Sequence, residues 1–154
     1  MTPFRILFVC HGNICRSTMA EYLFRDLAAR RGYGDRFSVE SRATSTEELG
    51  NPVHPGTRRV LDRLGIDCRG KTARQITRTE CDEADLIVIM DEKNRRGLLP
   101  FLGENGGKVR KLLAYAGEDR DVADPWYTGD FEATFRDVDK GCRALLRTLT
   151  EKRT

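Results

Sequence analysis

Apolar and polar positions follow two different periods along the chain. Phe4 to Val9 is a short, almost unbroken apolar run, the pattern of a strand buried on both faces. From Ser17 and Thr18 the period changes, and Met19, Leu23 and Leu27, with Tyr22 and Ala28, share one side of a helix stopped by Gly32 and Gly34. Phe37-Ser38-Val39 predicts a second strand, and Thr44 to Pro52 a polar loop. Val53, Val60, Leu61 and Leu64 predict a second helix ended by Gly65. Thr77-x-x-Glu80 has the form of a capping box that opens a short helix. Leu86 to Met90 predicts a third, fully buried strand, with Asp91 as cap of a helix running to Pro100. A weaker fourth strand is expected from Val109 to Leu113, after the turn at Gly103 to Gly107. Phe131, Phe135, Val138, Cys142, Leu145, Leu146 and Leu149 mark one stripe of a long closing helix.

Strands and helices that alternate in this way predict an α/β fold. The expected architecture is a three-layer αβα sandwich, a four-stranded parallel twisted sheet with helices on both faces. The length of 154 residues, without repeat, linker or low-complexity tract, predicts one domain over 1–154. Ligands of open parallel sheets sit at the carboxyl ends of strands. That singles out the loop after Val9 and the loop after Met90.

Composition narrows the classes of partner. An apolar content of 39% argues against disorder, and 27 basic against 24 acidic residues leave a net charge of +3, too small to argue for nucleic acid. No purely apolar stretch approaches the roughly 20 residues of a membrane-spanning helix. Met1 to Cys10 is interrupted by Arg5 and does not read as a signal peptide. Five scattered cysteines do not suggest a disulfide framework, so a reducing cytoplasm is expected, with leaderless export left open. Arg supplies 21 of the 27 cations, the side chain better suited to forked recognition of phosphate.

The loop after the first strand carries the chemistry. It reads Cys10-His11-Gly12-Asn13-Ile14-Cys15-Arg16-Ser17. A Cys-x5-Arg pair alone means little in so Arg-rich a chain, and a second one, Cys68-x5-Arg74, lacks the preceding apolar strand. The first pair lies between a strand and a helix N-terminus, where free amides and the helix dipole favour an anion. Gly12 is expected to supply a φ > 0 turn that aims amides inward, and Arg16 a fork for two phosphate oxygens. The same environment favours the Cys10 thiolate. Ser17 is positioned to donate to that thiolate, and Asn13 to hold the loop backbone, since Asn tolerates the left-handed region.

A thiolate attacking a phosphate ester needs a proton donor for the leaving oxygen. Asp124-Pro125-Trp126-Tyr127 offers an acid, a rigid residue that biases Asp124 to extended backbone, and two aromatics to line a cleft. No metal is expected, because Cys10, His11, Cys15 and His54 lack zinc spacing. A Walker loop is excluded by the missing Gly-Lys-Ser/Thr. His11 and His54 read as loop or cap residues, and Cys68, Cys81 and Cys142 as structural.

Together the Cys10 loop and Asp124-Pro125 resemble the low-molecular-weight protein-tyrosine phosphatase family, bacterial type. The resemblance runs essentially end to end. It includes Ser41-x-Ala43-Thr44-Ser45, Gly50-Asn51-Pro52, Ala73-Arg74-Gln75 and Met90-Asp91-Glu92. It implies a protein-tyrosine phosphatase in which Cys10 forms a cysteinyl-phosphate and Arg16 and the loop amides hold the phosphoryl oxygens. Asp124 is then the general acid and base, Ser41 supports the loop beside Asn13 and Ser17, and Trp126 and Tyr127 wall the substrate cleft. His11, Gly12, Ile14 and Cys15 complete the phosphate-binding loop, and Cys15 is implied as a reversible disulfide partner of Cys10. The implied partner is a phosphotyrosine protein, the product inorganic phosphate, the cofactor none, and the assembly a monomer or weak dimer.

Two departures bear on specificity. Glu47, beside Glu48, stands where many eukaryotic members have an aromatic, which predicts an acidic rim that disfavours acidic peptides. Trp126 stands where Tyr is commoner. Three rival readings share the fold. Thioredoxin-linked arsenate reductases need a Cys pair near the third strand, where Cys81 has no partner. Protein-arginine phosphatases tend to carry Thr where this chain has Ile14, whose bulk favours a phenyl ring. A receiver-type module with Asp91 as acceptor would need an acidic pair where Cys10-His11 stands.

Overall fold

The computed structural model describes residues 2–151. Strand β1 (Phe4–Cys10) leads into helix α1 (Arg16–Arg30), then β2 (Phe37–Ala43) and α2 (Pro55–Arg63). Helix α3 (Arg78–Glu83) precedes β3 (Leu86–Ile89), α4 (Glu92–Leu102), β4 (Val109–Lys111), the single-turn α5 (Pro125–Thr128) and α6 (Phe131–Thr150). The four strands are parallel in the order β2-β1-β3-β4. Chain direction across the sheet therefore reverses between β1 and β3, the place where open α/β sheets leave a crevice.

The two faces of the central strands divide the core. Ile6 and Phe8 of β1 and Val88 of β3 pack with Met19, Leu23 and Phe24 of α1 and Val138, Leu145 and Leu146 of α6. Leu7, Val9, Ile87 and Ile89 face the other way, onto Ile76, Cys81, Leu98 and Leu102. β1 and β3 are buried on both sides, which is why their sequences are continuous apolar runs.

Four elements differ from expectation. β2 extends past Val39 to Ala43, because β1 pairs with it in register from Phe4↔Phe37 to Cys10↔Ala43. Its polar second half gives no apolar pattern, yet it carries Ser41 beneath the catalytic loop. Val53 precedes α2, which begins at Pro55 with His54 as its cap; the His54 ring nitrogen accepts from the Gly56 amide at 3.0 Å. β4 ends at Lys111, and Leu112 and Leu113 instead turn into a 3-10 segment under α6. Gly141 of α6 makes room there, since a Cβ on it would lie 2.4 Å from Leu112 Cγ. Pro125 opens a one-turn helix, which the residue pattern had not marked as an element. The Thr77–Glu80 capping box is formed in both directions.

Candidate active site

β1 delivers Cys10 to the carboxyl edge of the sheet, and α1 begins six residues later with its first amides facing back. The Ser17 amide lies 3.4 Å from Cys10 Sγ and the Ser17 hydroxyl 3.1 Å from it. Asn13 Nδ2 donates to Ser17 Oγ at 2.8 Å. With that oxygen already accepting, the hydroxyl hydrogen is free to point at the sulfur.

Asn13 is the pivot of the loop. Its φ is 59°, and no other non-glycine among the described residues has positive φ. The left-handed residue is thus Asn13 and not Gly12, as the sequence had suggested. A Cβ on Gly12 would sit 3.3 Å from Glu48 Cγ, a tight approach from which the Glu48 side chain would have to move by a few tenths of an ångström. The Asn13 side chain is fully engaged, donating to Ser41 Oγ at 2.9 Å and accepting from the Arg74 amide at 3.2 Å. Three separate segments are tied to one buried amide.

Beneath Ser41 lies a charged cluster that sequence reasoning missed. Ser41 Oγ donates to Glu21 Oε1 at 2.5 Å, and Glu21 also meets Arg25 at 2.6 Å and Lys71 at 3.1 Å. Glu21 is almost wholly buried on α1. Burial pulls the Lys71 pKa down, against the pull of Glu21. No signal for it stands in the sequence, because Glu21 lies about 200° around the helix from the Met19–Leu23 stripe and so reads as outward-facing.

Arg16 is buried, its side chain 3% exposed, and held from three sides. Nη1 donates to Asp91 Oδ2 at 2.7 Å and to the Val122 carbonyl at 2.8 Å, and Nη2 lies 3.4 Å from Asp124 Oδ2. Burial works against its charge, but Cys10, the hydrogen bond to Asp91 and the charge of Asp124 outweigh it and raise the pKa further. Asp91 does two jobs, since its other oxygen caps α4 by accepting from the Asn94 amide at 2.8 Å. It entered the sequence reading as a helix cap and a receiver alternative, not as the anchor of Arg16.

Cys10, Ile14, Cys15 and Arg16 form the floor of a cavity of ≈ 80 Å³. Its rim includes His11, Glu47, Glu48, Asp124, Trp126 and Tyr127. Asp124 Oδ1 accepts from the Trp126 amide at 3.0 Å and so caps α5. Trp126 and Tyr127 are 55% and 81% exposed. His11 Nε2 sits 3.0 Å from Glu47 Oε2, turned to the rim. Asn13, Ser17 and Ser41 lie under the floor instead of lining it. The Cys15 thiol is pushed up by burial, and further by Cys10 and Asp124. All five cysteines are free. Among the described residues no group of three His, Cys, Asp or Glu side chains could hold a metal ion.

This arrangement supports nucleophilic attack on a tetrahedral anion, with a cation beneath the guest and a carboxyl group beside it. Residues 5–154 match the family model for low molecular weight phosphotyrosine protein phosphatases. The chain is 41% identical over 152 residues to the low molecular weight protein-tyrosine-phosphatase YfkJ of Bacillus subtilis, covering 96% of this chain and 97% of that one. It is 37% identical over 142 residues to PtpA of Staphylococcus epidermidis, covering 92% and 90%. The crystal structure of YfkJ superposes with a TM-score of 0.94 at 39% identity, over 100% of this chain and 99% of that one. A Streptococcus pyogenes low molecular weight protein tyrosine phosphatase superposes at 0.85 with 38% identity, over 97% and 95%.

Proposed function

The chain belongs to the low molecular weight phosphotyrosine protein phosphatases, and from that premise we propose that it hydrolyses phosphotyrosine in proteins through a cysteinyl-phosphate at Cys10. Cys10 Sγ attacks phosphorus in line as the bond to the phenol oxygen breaks, and Asp124 gives that oxygen its proton. The Asp124 carboxylate then takes a proton from water, whose oxygen displaces sulfur and releases inorganic phosphate. Arg16 and the loop amides hold the equatorial oxygens throughout. Trp126 and Tyr127 flank the ring of the substrate.

One observation carries this reading. The Cys10 sulfur lies 3.4 Å from the Ser17 amide and 3.1 Å from the Ser17 hydroxyl, at the floor of a cavity that Arg16 and Asp124 both border. The Arg16–Asp124 contact is the longest of the three that Arg16 makes, at 3.4 Å, and is the one a phosphoryl oxygen would replace. Ile14 at the floor favours a flat phenyl ring over a phosphoguanidinium. A Cys10–Cys15 disulfide belongs to the same reading: peroxide oxidises Cys10 to the sulfenic acid, and Cys15 condenses with it, releasing water. So do a cytoplasmic site of action, in keeping with five unbridged cysteines, and a monomer or weak dimer. No helix among the described residues is long and apolar enough to cross a membrane.

The test is steady-state turnover of p-nitrophenyl phosphate, a phosphotyrosine peptide and a phosphoarginine peptide across pH. Wild type is expected to be active at mildly acidic pH on the first two and to prefer phosphotyrosine to phosphoarginine. Cys10→Ser should be inactive, and Asp124→Ala slowed by roughly 10²–10⁴. Wild-type turnover by Cys10→Ser would overturn the mechanism.

A further inference from the structure

Beside the catalytic cavity lies a second one of ≈ 390 Å³, bordered by Arg16, Asp91, Lys93, Asp121, Asp124 and Tyr127. His11, Arg16, Asp124 and Tyr127 border both cavities. A residue adjacent to a phosphotyrosine seated in the first cavity therefore has the second within reach, since neighbouring residues of an extended chain are about 3.5 Å apart along it. The steps of catalysis proposed above leave this space unused.

Its charges are mostly spoken for. Asp91 is held by Arg16 at 2.7 Å, Asp124 shares the same guanidinium at 3.4 Å, and Asp121 is paired with Lys111 at 2.9 Å. Lys93 is exposed in the first turn of α4 and, among the described residues, is paired with no carboxylate. It is the uncommitted charge of the cavity, and it is positive. Glu47, at the rim of the catalytic cavity, is paired with the His11 ring at 3.0 Å, and His11 borders both cavities.

We propose that Lys93 is a specificity-determining residue: the second cavity takes the side chain next to the phosphotyrosine, and Lys93 selects an acidic one there. This rests on the phosphatase reading and names the substrate class within it. The enzyme then distinguishes peptides by the side on which an acid lies and not by their net charge.

The test uses phosphotyrosine peptides of one length and neutral background, with a single Glu on the amino-terminal flank, on the carboxyl-terminal flank, or absent. The reading is the ratio of kcat/KM for each acidic peptide to the neutral one, within each variant, so that folding and intrinsic rate cancel. In wild type one flank should be favoured by about three- to fivefold through KM, the scale of a partly exposed ion pair, and the other left near the neutral peptide. Lys93→Gln should bring the favoured ratio to about one, and Lys93→Glu should invert it. Salt of about 0.5 M should erase the preference in wild type. Ratios unmoved by Lys93→Glu, or both flanks shifting together, overturn the proposal. Failure of wild type to turn over p-nitrophenyl phosphate would instead sink the phosphatase reading beneath it.

Discussion

The two sides of the catalytic cavity are built to opposite standards. On the nucleophile side, Asn13, Ser17, Ser41 and Glu21 form a buried chain of hydrogen bonds that runs from the sulfur into the sheet edge and a triple ion pair. On the acid side, Asp124 rests on a four-residue helix and a 3.4 Å contact to Arg16, with two exposed aromatics beyond it. A nucleophile and an anion cradle must be fixed before the substrate arrives, because their stabilisation of charge depends on needing no rearrangement. The acid must come to a leaving oxygen whose position depends on the substrate. The difference teaches that rigidity is spent on the phosphoryl group and tolerance on the group attached to it.

Substitutions at three positions probe this contrast, beyond those at Cys10 and Asp124. The largest effect is expected at Arg16, which joins the two sides. Arg16→Lys keeps the charge but cannot reach Asp91, Val122 and the substrate together, so kcat should fall by about 10²–10³. Steady-state kinetics with p-nitrophenyl phosphate reads this directly, and a loss below tenfold would mean that the fork geometry is dispensable.

Asn13 tests the rigid side by itself. Asn13→Ala strands the partners of three buried hydrogen bonds and puts Ala at φ 59°. Urea unfolding should show a loss of about 3 kcal/mol. Asn13→Gly removes the same bonds but relieves the backbone, so it should unfold about 1 kcal/mol later than Asn13→Ala. Equal midpoints for the two would show that the loop does not depend on the left-handed turn.

The smallest effect is expected on the tolerant side. Trp126 is more than half exposed and touches the His54 ring edge-on at 5.8 Å between centroids. Trp126→Ala should change stability by less than about 1 kcal/mol, while KM for aryl phosphates rises severalfold and kcat holds. A large stability loss would mean that the acid side is as structurally committed as the floor.

Much of this was readable from the amino-acid sequence, for a physical reason in each case. β1 and β3 are continuous apolar runs because both their faces are covered, and Cys, Gly and Arg at fixed spacing between a strand and a helix form a motif visible within a few residues. The His54 and Thr77 caps are local too. The errors fall where distant packing decides. β2 is polar beyond Val39 and is a strand only because β1 lies alongside. Leu112 and Leu113 look like strand residues but serve α6. Gly12 was assigned the left-handed turn that belongs to Asn13, because the loop's conformation depends on Ser41 and Arg74, 28 and 61 residues further along.

The order of residues along the chain thus determined the fold class and the strand–loop–helix in which Cys10 and Arg16 sit, since each depends on neighbours within about one turn or one strand. Only the folded arrangement decided that Asp91 and Asp124 meet the same Arg16, that Glu21 holds Ser41 from below, and that a second cavity with an unpaired Lys93 opens beside the first. Those relations join segments up to 108 residues apart. They arise because parallel strands bring the ends of separate loops to one edge, a juxtaposition that no local pattern encodes.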